Sequence, residues 1–337
     1  MMLVLDRSGS MQTDGGGSAL KAAVPQFLQN FIQGTDYIGM ISFASHSNLD
    51  TAISNNHWGP YDTGPLNTAV QAFNFTGATF GGGAGSGTVY STTNGPPLNM
   101  ADAQTTSVNL GNSPETKVVI YFTDGLMNTL QDQMNCPGAT LMNYGGADPN
   151  SPGEGPPYNP DWVFSLSPTA ELTTYYCYAA DGANGCNSSK LPTYDGSGTC
   201  TYNGSAAKFP SEEYPAMSPL ALTRWNVTNE AKYRAKYTAN VMRGESPLPT
   251  YIYIIGLGTA VSGDPCTQAF LGTLANDPDY LNFYGGVNCD SGNGTYNANQ
   301  PQGLFVIVPD CPGTQCTQEL QHAFQTIAER VLLRLSL

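Results

Sequence analysis

The chain has 337 residues, of which 40% are hydrophobic, so it is long enough and apolar enough to fold around a sizeable core. Only 11% of its residues are charged, and 26 acidic residues against 12 basic ones give a formal net charge of −14. This acidity argues against a nucleic-acid partner, because phosphate would be repelled, and it favours divalent cations or basic partners.

The first 125 residues predict alternating strands and helices. The apolar run at 2–5 predicts a short buried strand, and the apolar spacing over 15–34 predicts a helix that stops at Gly34. Pro25 lies inside that helix and is expected to kink it or to shift its start. The other predicted elements of this part are a strand at 36–45, a short helix at 66–73 and a buried strand at 117–125.

The composition changes in 126–215, where Cys, Pro, Gly, Tyr and Asn dominate and no periodicity survives. We interpret this segment as a loop-rich insertion cross-linked by disulfides, because aromatics and cysteines are untypical of a flexible linker. Regular patterns resume after it, with predicted helices at 219–245, 266–277 and 318–337 and predicted strands at 250–258 and 303–308.

Continuous apolar strands that alternate with helices are typical of a parallel sheet covered on both faces. The sequence therefore predicts a Rossmann-like α/β domain with a mostly parallel central sheet. We expect 1–125 and 216–337 to be the two parts of this domain, with 126–215 inserted between them.

The chain has eight cysteines, all beyond residue 130 and none in a CxxC pattern, and only three histidines. A zinc cluster is therefore poorly supported, and disulfides formed in an oxidising compartment are the better interpretation. Proximity along the chain suggests the pairs Cys266–Cys289 and Cys311–Cys316, and it leaves three connectivities open for the other four cysteines.

No leader precedes the first predicted strand, and no stretch of about 18 apolar residues occurs in the sequence. Because a core strand already begins near residue 2, we expect an upstream segment to be missing. Any signal or membrane anchor would lie there. We expect the protein to be extracellular, on the cell surface or periplasmic.

Acidic side chains follow two of the predicted buried strands. Asp6 ends the first strand and Asp124 ends the strand at 117–122, while Ser8 and Ser10 occupy alternate positions after Asp6. In a parallel sheet, ligands bind at the carboxyl ends of the strands, so these side chains would share one crevice if the two strands are neighbours. Such a ring of hard oxygens suits Mg²⁺, and Mn²⁺ or Ca²⁺ would tolerate similar chemistry.

The stretch "DRSGSM" resembles the DxSxS signature of von Willebrand factor A (VWA) domains. The metal-ion-dependent adhesion site of that family also uses a threonine from a Gly-rich loop and a later aspartate. The resemblance implies a Rossmann-like VWA fold and the metal ligands Asp6, Ser8, Ser10, Thr79 and Asp124.

The threonine ligand has two candidates. Thr79 in "FTGATF" follows a helix as the family's loop does, and it is the preferred candidate. Thr92 is the second candidate, because its stretch "TTNGPPLNMADA" matches the residues that normally follow the family's threonine. Residues 80–91 therefore resemble an insertion that divides the family's pattern into two halves.

The segment "KYTANVMRGESPLPTYIYIIGLG" and the elements after it are similar to the C-terminal domains of bacterial Tad-type pilus-assembly proteins, which usually carry an N-terminal membrane helix. The resemblance covers about 2–125 and 216–337. It implies a divalent-metal-dependent adhesion or protein-binding module of the cell envelope, linked to pilus assembly or surface attachment. The expected partner is a protein that supplies a Glu or Asp carboxylate to the metal; a membrane would be contacted only through the missing upstream segment.

Three alternatives remain open. Ser8 and Ser10 could cap the helix that begins near residue 17, while the two aspartates satisfy backbone amides. The chain could be a structural surface or pilus subunit in which the metal only stabilises the fold. A metal-dependent hydrolase is least favoured, because no P-loop, no GxSxG elbow and no general base accompany the site, so we expect no enzymatic activity.

Overall fold

The computed structural model describes most of the chain outside the 76–223 region. The described residues are 1–8, 10–13, 15–44, 47–56, 64–75, 83–87, 96–108, 116–125, 127–131, 162–165, 175–176, 201–202, 205–206, 208–209, 220–221, 224–283, 296–309 and 314–335.

The described strands, in chain order, are β1 (Met2–Asp6), β2 (Ile38–Phe43), β3 (Ser47–Ser54), β4 (Gly83–Gly87), β5 (Lys117–Thr123), β6 (Met127–Gln131), β7 (Trp162–Ser165), β8 (Tyr175–Tyr176), β9 (Thr201–Tyr202), β10 (Ser205–Ala206), β11 (Lys208–Phe209), β12 (Leu220–Ala221), β13 (Thr250–Leu257) and β14 (Leu304–Val308). The described helices are α1 (Ser10–Thr13), α2 (Gly16–Leu28), α3 (Pro65–Gln71), α4 (Pro97–Ser107), α5 (Arg224–Gly244), α6 (Thr259–Ser262), α7 (Pro265–Ala275), α8 (Pro278–Phe283) and α9 (Thr314–Leu335).

Six strands form the central sheet, in the order β14–β13–β5–β1–β2–β3. Neighbouring strands pair in parallel, except that β3 runs antiparallel to β2 at one edge. The first strand lies in the middle and the chain extends the sheet in both directions from it, as in doubly wound α/β folds. The predicted Rossmann-like fold, which the resemblance to VWA domains implied, is confirmed.

Side chains along the central strands alternate between two hydrophobic clusters, one on each face of the sheet. Val4 and Tyr121 belong to the cluster that includes residues of α4, α5 and α7. Leu5 and Phe122 belong to the cluster that includes residues of α2, α3 and α9. This alternation explains the continuous apolar strand sequences, because both faces are covered by helices.

Helix α2 passes through Pro25 without interruption and ends at Leu28, earlier than the predicted stop at Gly34. Proline cannot donate the backbone hydrogen bond that the Lys21 carbonyl would normally accept. The side-chain amide of Gln71 in α3 donates to that carbonyl at 2.8 Å instead. The neighbouring helix therefore satisfies the acceptor that Pro25 leaves open.

Part of the predicted loop-rich insertion is strand. The strands β6, β7 and β8 join β4 in a second sheet of order β4–β6–β7–β8, and β4, β6 and β7 contact α5. The sequence did not predict these strands, because the segment shows no apolar periodicity, and the interpretation as a loop-rich, disulfide-linked insertion stays a prediction. The proposed division at residues 125 and 216 stays a prediction.

Two cysteines lie among the described residues, Cys266 in α7 and Cys316 in α9, and both are disulfide-bonded. Their predicted partners, Cys289 and Cys311, lie outside the described residues, as do the other four cysteines. The predicted pairings therefore stay predictions. In the part of the chain that the structure describes, no helix has the length and apolar character needed to cross a lipid bilayer.

Candidate metal-binding site

The site lies at the carboxyl edge of the central sheet, where β1 and β5 end side by side. These strands pair in parallel, and Leu5 lies opposite Phe122. Asp6 and Asp124 therefore reach the same edge of the sheet, although 118 positions separate them in the sequence. The expectation that the two strands are neighbours is confirmed.

Ser8 connects the two aspartates. Its backbone N–H donates to Asp6 Oδ1 at 2.8 Å, and its hydroxyl donates to Asp124 Oδ1 at 3.4 Å. The same hydroxyl lies 2.9 Å from the hydroxyl of Ser10. The residues of the DxSxS motif and the later aspartate thus converge on one small group of oxygen atoms.

Asp6 is held from both sides. Besides the Ser8 bond, the hydroxyl of Thr123 donates to Asp6 Oδ2 at 3.0 Å. The pKa of Asp6 is raised above its ordinary value because burial disfavours the carboxylate, and hydrogen bonds from Ser8, from Thr123 and from the Asp124 backbone N–H partly offset this. These bonds fix the orientation of the carboxylate at the end of β1.

The oxygen group is buried at its base and open on one side. Asp6, Ser8 and Asp124 are 1%, 2% and 4% exposed, whereas Ser10 at the start of α1 is exposed. A bound ion would therefore rest on the two aspartates and Ser8, and a ligand could approach it from the Ser10 side.

The donor set fits a hard divalent cation. Two neighbouring ligands at about 2.1 Å from Mg²⁺ in octahedral geometry are about 3.0 Å apart, and ligands at Ca²⁺ distances are slightly further apart. The Ser8–Ser10 and Ser8–Asp124 oxygen separations of 2.9 and 3.4 Å lie in this range. Such an ion would replace the hydrogen bonds that now join these oxygens.

Within the described ranges, no group of three or more His, Cys, Asp or Glu side chains could hold a metal. The candidate site contains only two carboxylates, and its other oxygens come from hydroxyl groups. Among the described residues, it is therefore weakly charged for a cation site.

The threonine ligand is not placed, because Thr79 and Thr92 both lie outside the described residues. The choice between them stays a prediction. The first element after this segment is α4, which begins at Pro97.

The helix-capping alternative is not supported by the geometry. The N-cap of α2 is Gly15, and no side chain makes a capping hydrogen bond there. Ser8 donates its hydroxyl to Asp124 instead. One part of that alternative is correct, since Asp6 does accept a backbone N–H, that of Ser8.

Two residues of this site were not nominated from the sequence. Thr123 positions Asp6, and its hydroxyl also accepts from the backbone N–H of Gly125 at 3.2 Å. The hydroxyl of Tyr121 is buried and makes no hydrogen bond among the described residues; burial, and secondarily the charge of Asp6, raises its pKa. Only the register between β1 and β5 identifies either residue, because both look like ordinary strand residues in the sequence.

No protein-family model matches the chain, and no curated protein matches it. Several solved structures are similar. The vWF domain of the type V pili tip protein Mfa5 from Porphyromonas gingivalis is 15% identical, with a TM-score of 0.48, over 98% of this chain and 94% of that one.

Two further structures are pilus proteins. The pilus adhesin SpaC from Lactobacillus rhamnosus GG is 14% identical with a TM-score of 0.45, over 98% of this chain and 30% of that one. The PilB minor pilin from Streptococcus sanguinis is 13% identical with a TM-score of 0.42, over 98% and 61%. At these values the similarities carry no argument about function, and the fold is assigned from the strand order.

Proposed function

We propose that the chain is a divalent-cation-dependent adhesion or protein-binding module of the cell envelope, linked to pilus assembly or surface attachment. The observation that supports this most is the convergence of Asp6, Ser8 and Asp124 at the sheet edge, with Ser8 bonded to both aspartates. The type of donor, the burial at the base and the open side all suit an ion that is shared with a partner.

The proposed ligands are Asp6, Ser8, Ser10, Asp124 and a loop threonine, Thr79 in preference to Thr92. The ion is Mg²⁺, with Mn²⁺ or Ca²⁺ as substitutes. A Glu or Asp of a protein partner completes the coordination shell, and the charge-assisted contact stabilises the complex. The proposal includes a location outside the cytoplasm and no enzymatic activity.

Calorimetric titration with Mg²⁺ tests the ion. We expect the wild-type chain to bind one ion, and Asp124→Ala to lose at least about 100-fold in affinity because a ligand and half of the local charge are gone. Asp279→Asn is the matched control, since it removes an exposed carboxylate elsewhere. Equal Mg²⁺ affinity in wild type and Asp124→Ala would refute the site.

Binding of acetate to the Mn²⁺ form tests the partner chemistry. Acetate is the smallest mimic of a partner carboxylate, and it should displace water from an ion that keeps an open position. We expect the Mn²⁺-enhanced water-proton relaxation rate to fall as acetate is added. An unchanged rate, with Mn²⁺ still bound, would favour the structural alternative in which the ion only stabilises the fold.

A further inference from the structure

A second pair of carboxyl groups lies at the opposite, amino edge of the central sheet. Asp102 is in α4, and Glu245 follows the last residue of α5. Lys117 begins β5 and Thr250 begins β13. These strands are neighbours, and Thr250 lies opposite Lys117, so the cluster joins α4, the α5–β13 turn and two central strands.

The Glu245 carboxylate is held by three donors from three elements. Lys117 Nζ lies 3.0 Å from Glu245 Oε2. The hydroxyl of Thr250 donates to Oε2 at 3.4 Å, and the hydroxyl of Thr106 in α4 donates to Oε1 at 3.4 Å. Glu245 therefore links α4 to the starts of β5 and β13.

Asp102 lies beside this group and is only 7% exposed. Its Oδ1 atom is buried and accepts no hydrogen bond from the described residues. The pKa of Asp102 is raised to about 7, chiefly by burial and then by a hydrogen bond to Glu245 and the charge of Glu245, whereas the charge of Lys117 acts in the opposite direction. Two carboxyl groups thus share one lysine, which can neutralise only one negative charge.

The other charged groups near α4 contact other residues or act only weakly on Asp102. Helix α4 contacts β1, β2, β3, β4, β5 and α5. Besides Lys117 and Glu245, the described charged side chains of these elements are Asp6, Asp50, Lys232, Arg234, Lys236 and Arg243. Asp6 is at the far edge of the sheet.

Asp50 accepts hydrogen bonds from Ser42 and Asn48. The ammonium group of Lys232 lies over the ring of Phe270, and Arg243 donates to the carbonyl of Leu274. The charges that act on the Asp102 carboxyl are therefore those of Glu245 and Lys117.

We propose that Asp102 and Glu245 share one proton and form a clasp between α4 and the α5–β13 turn, and that loss of this proton as the pH rises through neutrality loosens the clasp. With the proton present, Asp102 donates to Glu245 and Lys117 neutralises the remaining charge. Once the proton leaves, the buried Asp102 carboxylate lies beside the partly exposed Glu245 carboxylate, and the two repel each other. This device is independent of the metal site.

Carbon-13 NMR of the side-chain carboxyl groups in the full chain tests the shared proton directly. The Asp102 signal is assigned by its absence in Asp102→Asn. We expect its midpoint near pH 7, and in Glu245→Gln we expect a shift to lower pH by about one unit or more, because the neighbouring negative charge is gone. A wild-type midpoint at the ordinary acidic value would overturn the proposal.

Urea unfolding at pH 5 and pH 8 tests the consequence for stability. The folded-state pKa of Asp102 lies above the ordinary value, so the native state binds the extra proton and its stability falls as pH rises toward and through 7. Between pH 5 and pH 8, we expect deprotonation of Asp102 to lower the folding equilibrium constant of the wild type by about 80-fold. Asp102→Asn cannot titrate at this position, so this decrease of about 80-fold should be absent from its profile.

Glu329→Gln is the control for loss of an exposed carboxylate, and we expect it to keep the wild-type pH profile. Parallel profiles for wild type and Asp102→Asn would overturn the proposal. Should Asp102→Asn fail to fold, the urea profile of Glu245→Gln gives the same decision, because a shared proton requires both carboxyl groups: a profile parallel to wild type would overturn the proposal.

Discussion

Each edge of the central sheet holds a pair of acidic side chains, and the groups around the two pairs differ. Asp6, Asp124 and Asp102 are buried, whereas Glu245 is partly exposed. At the amino edge, Lys117 lies 3.0 Å from Glu245 and Asp102 lies beside both. At the carboxyl edge, Asp6 and Asp124 are bridged by Ser8 through a backbone N–H and a hydroxyl. At the amino edge a lysine contacts one of the two acids, whereas at the carboxyl edge the groups that contact the aspartates are neutral N–H and O–H donors.

This difference distinguishes an internal clasp from an ion site. A buried carboxylate must be neutralised by a cation, by hydrogen bonds or by a proton. At the amino edge a lysine and a proton from within the chain suffice. At the carboxyl edge the hydroxyl groups can stabilise the aspartates, but they can equally serve as ligands of an added cation. The donor type, more than the number of acids, indicates where a metal would bind.

The largest expected effect concerns the carboxyl edge. At a Mg²⁺ concentration 100 times its Kd, we expect the free energy of unfolding to rise by about 2.7 kcal/mol, because the ion binds only the folded chain. Asp124→Ala should lose this gain, and Asp102→Asn should keep it. Urea unfolding with Mg²⁺ and with a chelator measures the difference. If Mg²⁺ raised the free energy of unfolding of Asp124→Ala as much as that of wild type, the carboxyl edge would no longer be distinguished from the amino edge as the cation site.

Next in size is the loss of the cation at the amino edge. We expect Lys117→Met to lower the free energy of unfolding by about 2 kcal/mol at pH 8, a value reduced because both partners are partly exposed. The cost should be smaller at pH 5, where Asp102 keeps its proton. Lys117→Arg retains the charge and serves as control. If Mg²⁺ restored the stability of Lys117→Met, the amino edge would itself be a cation site.

A smaller effect is expected for the hydroxyl that positions Asp6. Thr123→Val removes the donor to Asp6 Oδ2. We expect a loss of about 1 kcal/mol in the free energy of unfolding and a roughly tenfold weaker Mg²⁺ affinity, since the carboxylate is no longer fixed. Thr123→Ser keeps the hydroxyl and should behave like wild type in calorimetric titration. A loss in Thr123→Ser together with wild-type behaviour of Thr123→Val would mean that the methyl group, and not the hydroxyl, is what matters.

The smallest expected effect is the interaction between the edges. Lys117 and Asp124 lie at the two ends of β5, roughly 23 Å apart along the strand. We therefore expect the unfolding free energies of Asp102→Asn and Asp124→Ala to add within about 0.5 kcal/mol in the double variant. A larger deviation, measured by urea unfolding of all four proteins, would show that the two edges are coupled.

The fold was largely predictable because its strands are buried on both faces. The runs that became β1, β5 and β13 are continuously apolar, which is typical of a covered parallel sheet. The edge strand β3 was not predicted. Most of its residues are only partly buried, so its sequence "SNLDTAIS" carries no apolar run. Strand β6 was missed for a similar reason, since its sequence has no clear alternation.

The sequence by itself determined which side chains stand at the carboxyl edge, since Asp6 ends the first strand, Ser8 follows it two positions later, and Asp124 directly follows β5. Only the tertiary structure decided that β1 and β5 are neighbours in a register that brings Thr123 to Asp6. It also decided the whole amino-edge cluster, because Asp102 and Glu245 are 143 positions apart. Local patterns encode burial and chain direction, whereas contacts between distant segments depend on packing that no short stretch of sequence contains.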